Sequence, residues 1–555
     1  MNDFSLVIFN INLRKTYQLS VNLLIFINFI LSNSKIKPAV VKIKFPLLLL
    51  LLCGHAIFLQ AQNAMQLTVK AGEKKITISK NIYGHFSEHL GRCIYDGFWV
   101  DSSLQVEKKD RIRMDIVEAL KKINLPLLRW PGGCFADQYH WSDGIGPRNE
   151  RPRRVNTTWG MVIDDNSFGT AEFLELCDLL GCEPYIAGNV GTGTPQEMAN
   201  WLEYLNYGGH SYLADLRKKN GHENPYKVSY WGVGNESWGC GGNMTPEFYS
   251  DQYKRYAEFC KNYPGTTLRK IASGSNVDDY NWTETCMKKI PGWQMWGISL
   301  HYYTVANNWS HKGSATKFGE DEYFQAVKKS MYMDELIQKH SAIMDKYDPE
   351  KKISLCVDEW GIWTDVEPGT NPAFLYQQNS MRDAIIAATT LNIFNNHADR
   401  VRLACLAQTV NVLQSLILTN KEKMLLTPTY YVFYLYKVHQ DALQLLVHFT
   451  SPDYVYNNDK IPAVNGSASK DKNGAIHISL VNADPYRSIS VNTTLENIQY
   501  KYINGRILSA ANFSDVNSFE KPELVKPANF NGFKKEGDIL SIVLPPLSIV
   551  VLEIQ

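Results

Sequence analysis

Between Asn81 and Ala442 one pattern recurs eight times: a short apolar run followed by a longer amphipathic segment. A brief apolar run bounded by turn residues reads as a buried strand, and a 3.6-residue apolar period reads as a helix packed on one side. Strands are predicted at 82–86, 126–130, 183–187, 229–233, 270–273, 297–301, 353–357 and 402–407. Helices are predicted at 108–122, 170–180, 195–206, 246–261, 322–347, 378–397 and 429–439. Thr194-Pro195 and Thr245-Pro246 are helix starts, a capping hydroxyl followed by a proline that needs no partner for its missing N–H. Eight such units predict an α/β fold, a (β/α)8 TIM barrel over 81–440, in which reactive groups gather at the C-terminal ends of the strands.

After Asp441 the helical period stops. Short alternating or apolar runs at 475–481, 488–494, 539–543 and 548–554 are separated by Asn, Gly, Asp and Pro. They predict an accessory C-terminal antiparallel β-sandwich, jelly-roll-like, built from 441–555. Residues 65–80 should join it, with 66–79 forming a hairpin that turns at Ala71-Gly72.

Residues 1–62 read as an upstream segment and a signal peptide. Lys42 and Lys44 precede an apolar run from Phe45 to Leu59, with Ala61 at a cleavage position. The run is too short and too interrupted, by His55, for a spanning helix. Export to the periplasm or beyond is therefore expected, with no stable membrane anchor after signal removal. The earlier apolar stretch around 23–31 fits a start codon assigned too far upstream.

Composition narrows the partner. With 45% hydrophobic and 20% charged residues the chain can bury a core. Lys+Arg 57 against Asp+Glu 56 leaves no basic field for nucleic acid. A small or uncharged ligand fits, and 13 Trp and 30 Tyr suit the stacking of sugar rings. Of ten cysteines, Cys53 falls in the signal and nine are spread without any CxxC. Neither a metal ribbon nor a disulfide scaffold is expected, and most thiols should be buried apolar groups.

Two carboxylates stand at predicted strand ends. Gly232-Val233-Gly234-Asn235-Glu236 closes the fourth strand and Val357-Asp358-Glu359-Trp360 the seventh. Strands four and seven can face each other across a barrel mouth, so Glu236 and Glu359 could flank one bond. Glycoside hydrolysis needs such a pair, one acid to protonate the leaving oxygen and one carboxylate on the other side of the anomeric carbon.

With these motifs, from about residue 66 onward, the chain resembles glycoside hydrolase family 51, the retaining α-L-arabinofuranosidases. Further blocks carry the likeness: Gly84-His85-Phe86-Ser87-Glu88-His89-Leu90-Gly91, Leu128-Arg129-Trp130-Pro131-Gly132-Gly133 and His301-Tyr302-Tyr303. The resemblance implies that Glu236 is the acid/base and Glu359 the nucleophile. It implies that Glu88 and Asn235 bind ring hydroxyls, Asn235 at the 2-OH, and that Arg129 lies beneath the nucleophile. His301 and Tyr303 would orient the nucleophile side, Gln408 would reach a sugar hydroxyl, and Trp363 and Trp159 would wall the subsite. The substrate implied is an arabinose-containing poly- or oligosaccharide such as arabinan or arabinoxylan, attacked at terminal residues without a cofactor. A homo-oligomer is a family habit. Cys134 departs from the pattern, standing where many members have Asn, and a thiol there would weaken a sugar contact.

Three other readings compete. His85, Glu88 and His89 spell H-x-x-E-H, a zinc-peptidase motif, but that motif works on a helix and this one follows a strand. An endo-acting β-glycanase would use the same two carboxylates in an open cleft. A non-catalytic carbohydrate-binding protein would keep the fold alone.

Overall fold

The computed structural model describes residues 64–72, 75–496 and 500–555. The signal-peptide reading at 1–62 lies outside them. Eight parallel strands close a barrel in chain order: β1 Gly84–Phe86, β2 Leu127–Trp130, β3 Glu183–Gly188, β4 Tyr230–Val233, β5 Arg269–Asn276, β6 Gly297–Thr304, β7 Ser354–Ile362 and β8 Val401–Ala407. β8 pairs with β1 through Leu406 opposite His85, which completes the ring. The strands read as continuous apolar runs because helices cover their outer faces while side chains fill the interior.

The helices start where their caps dictate. Thr194 Oγ1 accepts from Glu197 N–H at 3.1 Å ahead of Pro195–Asn206, and Thr245 Oγ1 from Phe248 N–H at 3.3 Å ahead of Pro246–Phe259. Thr170–Leu180 stops at Gly181, whose φ of 71° needs a residue without a Cβ. The helix expected over 108–122 begins only at Met114. Lys108–Lys109 and Ile112–Arg113 pair instead as a small ladder turned at Asp110, whose φ is 55°. Local turn chemistry there outweighs the helical period.

A ten-stranded sheet forms the second layer, built from Met65–Ala71 and nine strands between Leu443 and Ile554. The hairpin expected over 66–79 does not form. Met65–Ala71 inserts between Leu443–Phe449, antiparallel, and Ile489–Leu495, parallel, with Val69 opposite Val447 and Leu495. Its alternating burial is satisfied better by two long neighbours in the sheet than by a short partner next to it in the chain. The helix Met381–Asn396 joins the two layers and is buried from Met381 through Asn395. Asn395 donates to Ser467 Oγ, Ser467 donates to Asn392, and Asn396 donates to Gly466 O, so its polar residues are matched to the sheet. Ala64–Gln555 packs as one compact unit.

Candidate active site

β4 ends in a turn that aims Glu236 into the barrel mouth. Gly234 takes a φ of 87° and Glu236 itself a φ of 38°, a left-handed conformation that costs a residue with a Cβ about 1–2 kcal/mol. The turn is closed by Gly239 and Gly241 N–H donating to Glu236 O at 2.7 and 3.1 Å. Strain held by a surrounding network at a polar cleft is a mark of function.

Glu359 faces it from β7. Three residue steps on β7 match two on each neighbour: Cys356 to Glu359 lies beside Ser299 to His301, and Val357 to Trp360 beside Ala404 to Leu406. The extra residue is a bulge that lets consecutive side chains, Asp358 and Glu359, both engage the interior. Glu359 Oε1 accepts from Arg129 Nη1 at 2.9 Å, and Oε2 from the Tyr303 hydroxyl at 2.9 Å. Glu236 Oε1 accepts from His301 Nδ1 at 2.8 Å. The ligating atoms of Glu236, His301 and Glu359 lie within 4.8 Å of one another, so the two glutamates share one small volume.

The two carboxyls differ in environment. Burial, then the charge of Glu359, raises the pKa of Glu236, while the His301 contact works against that rise. Burial opposes charge on His301, but Glu359 and its bonded partners Asp358 and Glu236 prevail and raise it to about 10. His301 is therefore an imidazolium whose second nitrogen, Nε2, donates to Asp358 Oδ1 at 3.1 Å. Asp358 is held as a carboxylate despite burial by Arg129 and His301, and its Oδ2 accepts from the Tyr185 hydroxyl at 2.6 Å. For Arg129 the burial penalty is overcome by Asp358 and Glu359, which raise its pKa well above the ordinary value. Burial beside Glu359 likewise keeps Tyr303 a protonated donor.

Around this pair stand groups that can bind hydroxyls. Asn235 accepts from Arg129 Nη2 at 2.6 Å, which turns its Nδ2 the other way, buried and without a protein partner. Gln408 donates to Glu88 Oε2 at 2.9 Å and leaves its own Oε1 unpartnered. A buried amide with half its capacity unused points to a ligand. Glu88 Oε1 accepts from Gly133 N–H, Phe135 N–H and Trp159 Nε1, all at 3.0 Å. Burial, then Glu359, raises Glu88 to about 7. Trp363 stands edge-on to Tyr303 with ring centroids 5.1 Å apart. The Pro-Gly-Gly turn after β2 gains a physical reason: a Cβ on Gly133 would sit 2.6 Å from Glu359 Oε1, and one on Gly132 2.7 Å from Glu88 Cγ.

Arg129, Asn235, Glu236, His301, Tyr303 and Glu359 thus form one network through Asp358, and Glu88 with Gln408 and Trp159 forms a second group near enough to feel the charge of Glu359, with Trp363 against Tyr303. Cys134 is in the same place but not as a thiol. It is bonded to Cys240, so it offers no S–H to a sugar, and the expectation of cysteines serving as apolar filler fails for this pair. A separation of 106 residues with no motif gives no hint of the bond; only the meeting of the loops after β2 and β4 does. Two further residues escaped the sequence reading. Asp137 accepts from Val190, Gly191 and Asn235 N–H at 2.7, 2.9 and 3.0 Å, and so ties the loops after β3 and β4 together. Tyr185, on β3, steadies Asp358 from below.

The zinc-peptidase arrangement does not assemble. His85 points away from the mouth onto Phe433, at 4.4 Å between ring centroids, and burial lowers it to about 3. His89 is occupied on both nitrogens, by Asp164 and by Trp130 Nε1. On a strand end, residues at this spacing diverge.

Comparison with known proteins agrees with this geometry. The alpha-L-arabinofuranosidase 1 domain matches residues 119–321, and the alpha-L-arabinofuranosidase C-terminal domain matches 358–548. An intracellular exo-alpha-L-arabinofuranosidase of Bacteroides ovatus is 50% identical over 501 residues, covering 90% of this chain and 97% of that protein. The crystal structure of the GH51 arabinofuranosidase of Xanthomonas axonopodis pv. citri superposes with a TM-score of 0.87 at 46% identity, over 89% of this chain and 100% of that one. An arabinose complex of the Thermotoga maritima alpha-L-arabinofuranosidase gives a TM-score of 0.78 at 31% identity, over 88% and 99%.

These relatives correct one expectation. Export does not stand, because the Bacteroides ovatus protein, alike along nearly its whole length, is an intracellular enzyme. A short apolar run behind two lysines is too common a pattern to outweigh that likeness. Motifs, barrel, paired carboxylates and relatives agree, and the chain belongs to glycoside hydrolase family 51, the α-L-arabinofuranosidases.

Proposed function

We propose that the protein is a retaining, exo-acting hydrolase of terminal α-L-arabinofuranosyl residues on arabinan- or arabinoxylan-type chains, with Glu236 as acid/base and Glu359 as nucleophile. The observation that carries the reading is the close, unequal pair: oxygens within 4.8 Å, one carboxyl beside a cation and a phenol, the other raised in pKa by burial and by its neighbour. Retaining glycosidases hold their carboxyl groups about 5–5.5 Å apart, whereas inverting ones leave about 6.5–9.5 Å for a water.

His301 donates to Oε1 of Glu236, so the acidic proton belongs on Oε2, the oxygen left for the leaving group. Glu359 attacks the anomeric carbon as Glu236 releases that proton to the departing oxygen. Esterification then removes the charge of Glu359, the second cause of the raised pKa of Glu236. Glu236 becomes a base, takes a proton from water, and the hydroxide displaces the ester with a second inversion. The unpartnered Asn235 Nδ2 and Gln408 Oε1 are the natural contacts for ring hydroxyls.

An aryl α-L-arabinofuranoside tests the assignment. Wild type should release the phenol and Glu359→Ala should not. Azide should restore Glu359→Ala with a β-azide and Glu236→Ala with an α-azide. Undiminished turnover by Glu359→Ala, or exchanged anomers, would reject the roles.

A further inference from the structure

Two sulfurs face the oxygen of Glu236 that His301 leaves free. Cys134 Sγ lies 3.7 Å and Cys240 Sγ 3.4 Å from Glu236 Oε2. As a disulfide the sulfurs carry no hydrogen, so these are contacts and not hydrogen bonds. The bond sits at the rim, with Cys240 exposed and Cys134 half-buried, open to a reductant. The other cysteines outside residues 1–63 are unpaired, and all but Cys182 are buried.

We propose that reduction of this disulfide creates a binding site for one divalent cation of the zinc class, held by Cys134, Cys240 and Glu236, and that the bound ion stops turnover by occupying Oε2. A tetrahedral ion with Zn–S of about 2.3 Å and Zn–O of about 2.0 Å places sulfur and oxygen ligands about 3.5 Å apart and two sulfurs about 3.8 Å apart. The two sulfur–oxygen separations already match; only the sulfurs must part once their bond is broken. Cys240 has the room to move, because it is exposed and stands between Gly239 and Gly241-Gly242. Thiolates select soft and borderline ions over magnesium or calcium, and three protein ligands leave a fourth position for water.

The chemistry balances through an external reductant, a phosphine or a dithiol. Two electrons from the reductant cleave the S–S bond; with a phosphine, water supplies the oxygen of the phosphine oxide and the two thiol protons, and with a dithiol the reductant gives up both protons as it closes to its own disulfide. Zinc then displaces both thiol protons. In the oxidised protein the sulfurs are spent on each other, so this site closes to metal. The inhibition rests on Glu236 as acid/base, whereas the binding does not.

The test is a zinc titration of protein reduced with a phosphine and desalted. Bound metal is measured by elemental analysis, cobalt(II) thiolate absorption reports the ligands, and aryl arabinofuranosidase activity is followed in parallel. Reduced wild type should retain one zinc per chain more than reduced Cys240→Ser and lose activity by more than about 10-fold, restored by a chelator. Unreduced wild type, which needs no substitution to fold, should show neither change. Equal zinc uptake by reduced wild type and Cys240→Ser, equal inhibition of the two, or zinc held with activity intact would each overturn the proposal. Absence of arabinofuranosidase activity before metal is added would instead refute the assigned reaction, while zinc uptake still decides the site.

Discussion

Asn235→Ala isolates the hydrogen bond expected to matter most at the transition state. Asn235 spends its oxygen on Arg129 Nη2 at 2.6 Å and keeps Nδ2 unpartnered and buried. Truncation to Ala removes two things at once: the donor toward the sugar and the acceptor that steadies Arg129. A second substrate separates them. On an aryl arabinofuranoside lacking the 2-hydroxyl, the sugar contact is already gone, so the substitution loses only its effect on Arg129. The greater intrinsic lability of the deoxy sugar cancels when the ratio of ratios is taken. A donor left unpaired in a closed site costs about 1–3 kcal/mol, and contacts to this hydroxyl tighten as positive charge grows on the ring. A coupling of about 2–3 kcal/mol is expected, which is about 30- to 160-fold in kcat/KM. Steady-state kinetics of two proteins on two substrates gives it directly. A coupling below about threefold would mean that Nδ2 does not reach the 2-hydroxyl.

Three further outcomes follow from the same network. Glu88 titrates near its ordinary 4.5 when unfolded and at about 7 when folded, so its contribution to stability is complete below 4.5 and is lost as pH rises through 7. That loss is on the order of 3 kcal/mol, and Glu88→Gln should flatten the decline of urea midpoints between pH 5 and 7; an unchanged slope would contradict the burial argument. Asp137→Ala strands three N–H groups, so denaturant unfolding should lose about 2–5 kcal/mol and kcat/KM should fall with it, whereas a loss confined to stability would deny Asp137 its hold on the Asn235-Glu236 turn. Gly133→Ala places a Cβ 2.6 Å from Glu359 Oε1 and should lower kcat by about 100-fold while thermal unfolding moves little.

The barrel was legible because its strands are apolar runs buried on both sides and helices such as Pro195–Asn206 and Pro246–Phe259 carry their own caps. All eight strands form where the apolar runs lie, and Thr170–Leu180 and Pro195–Asn206 keep the predicted bounds. Two errors fall where a segment's partner is remote, Met65–Ala71 taking neighbours from the far end of the chain and Cys134 bonding across 106 residues, while the late helix start at Met114 comes from a local ladder. Asp358 was in view as part of a motif, yet a strand's two-residue alternation would have pointed it away from Glu359. The bulge on β7 reverses that, and a bulge leaves no local mark in this sequence.

Sequence by itself determined most of the barrel's strands and helices and set the candidate pair, Glu236 and Glu359, at strand ends, since periodicity, caps and motif residues are local properties of the chain. The tertiary structure alone decided how those groups are tuned. Proton placement depends on burial and on charges a few ångströms away, and His301, Asp358, Tyr185, Arg129 and the Cys134–Cys240 bond reach Glu236 and Glu359 from separate strand ends. Such distances exist only once the barrel has closed, because Coulomb energy follows separation in space and is indifferent to separation along the chain.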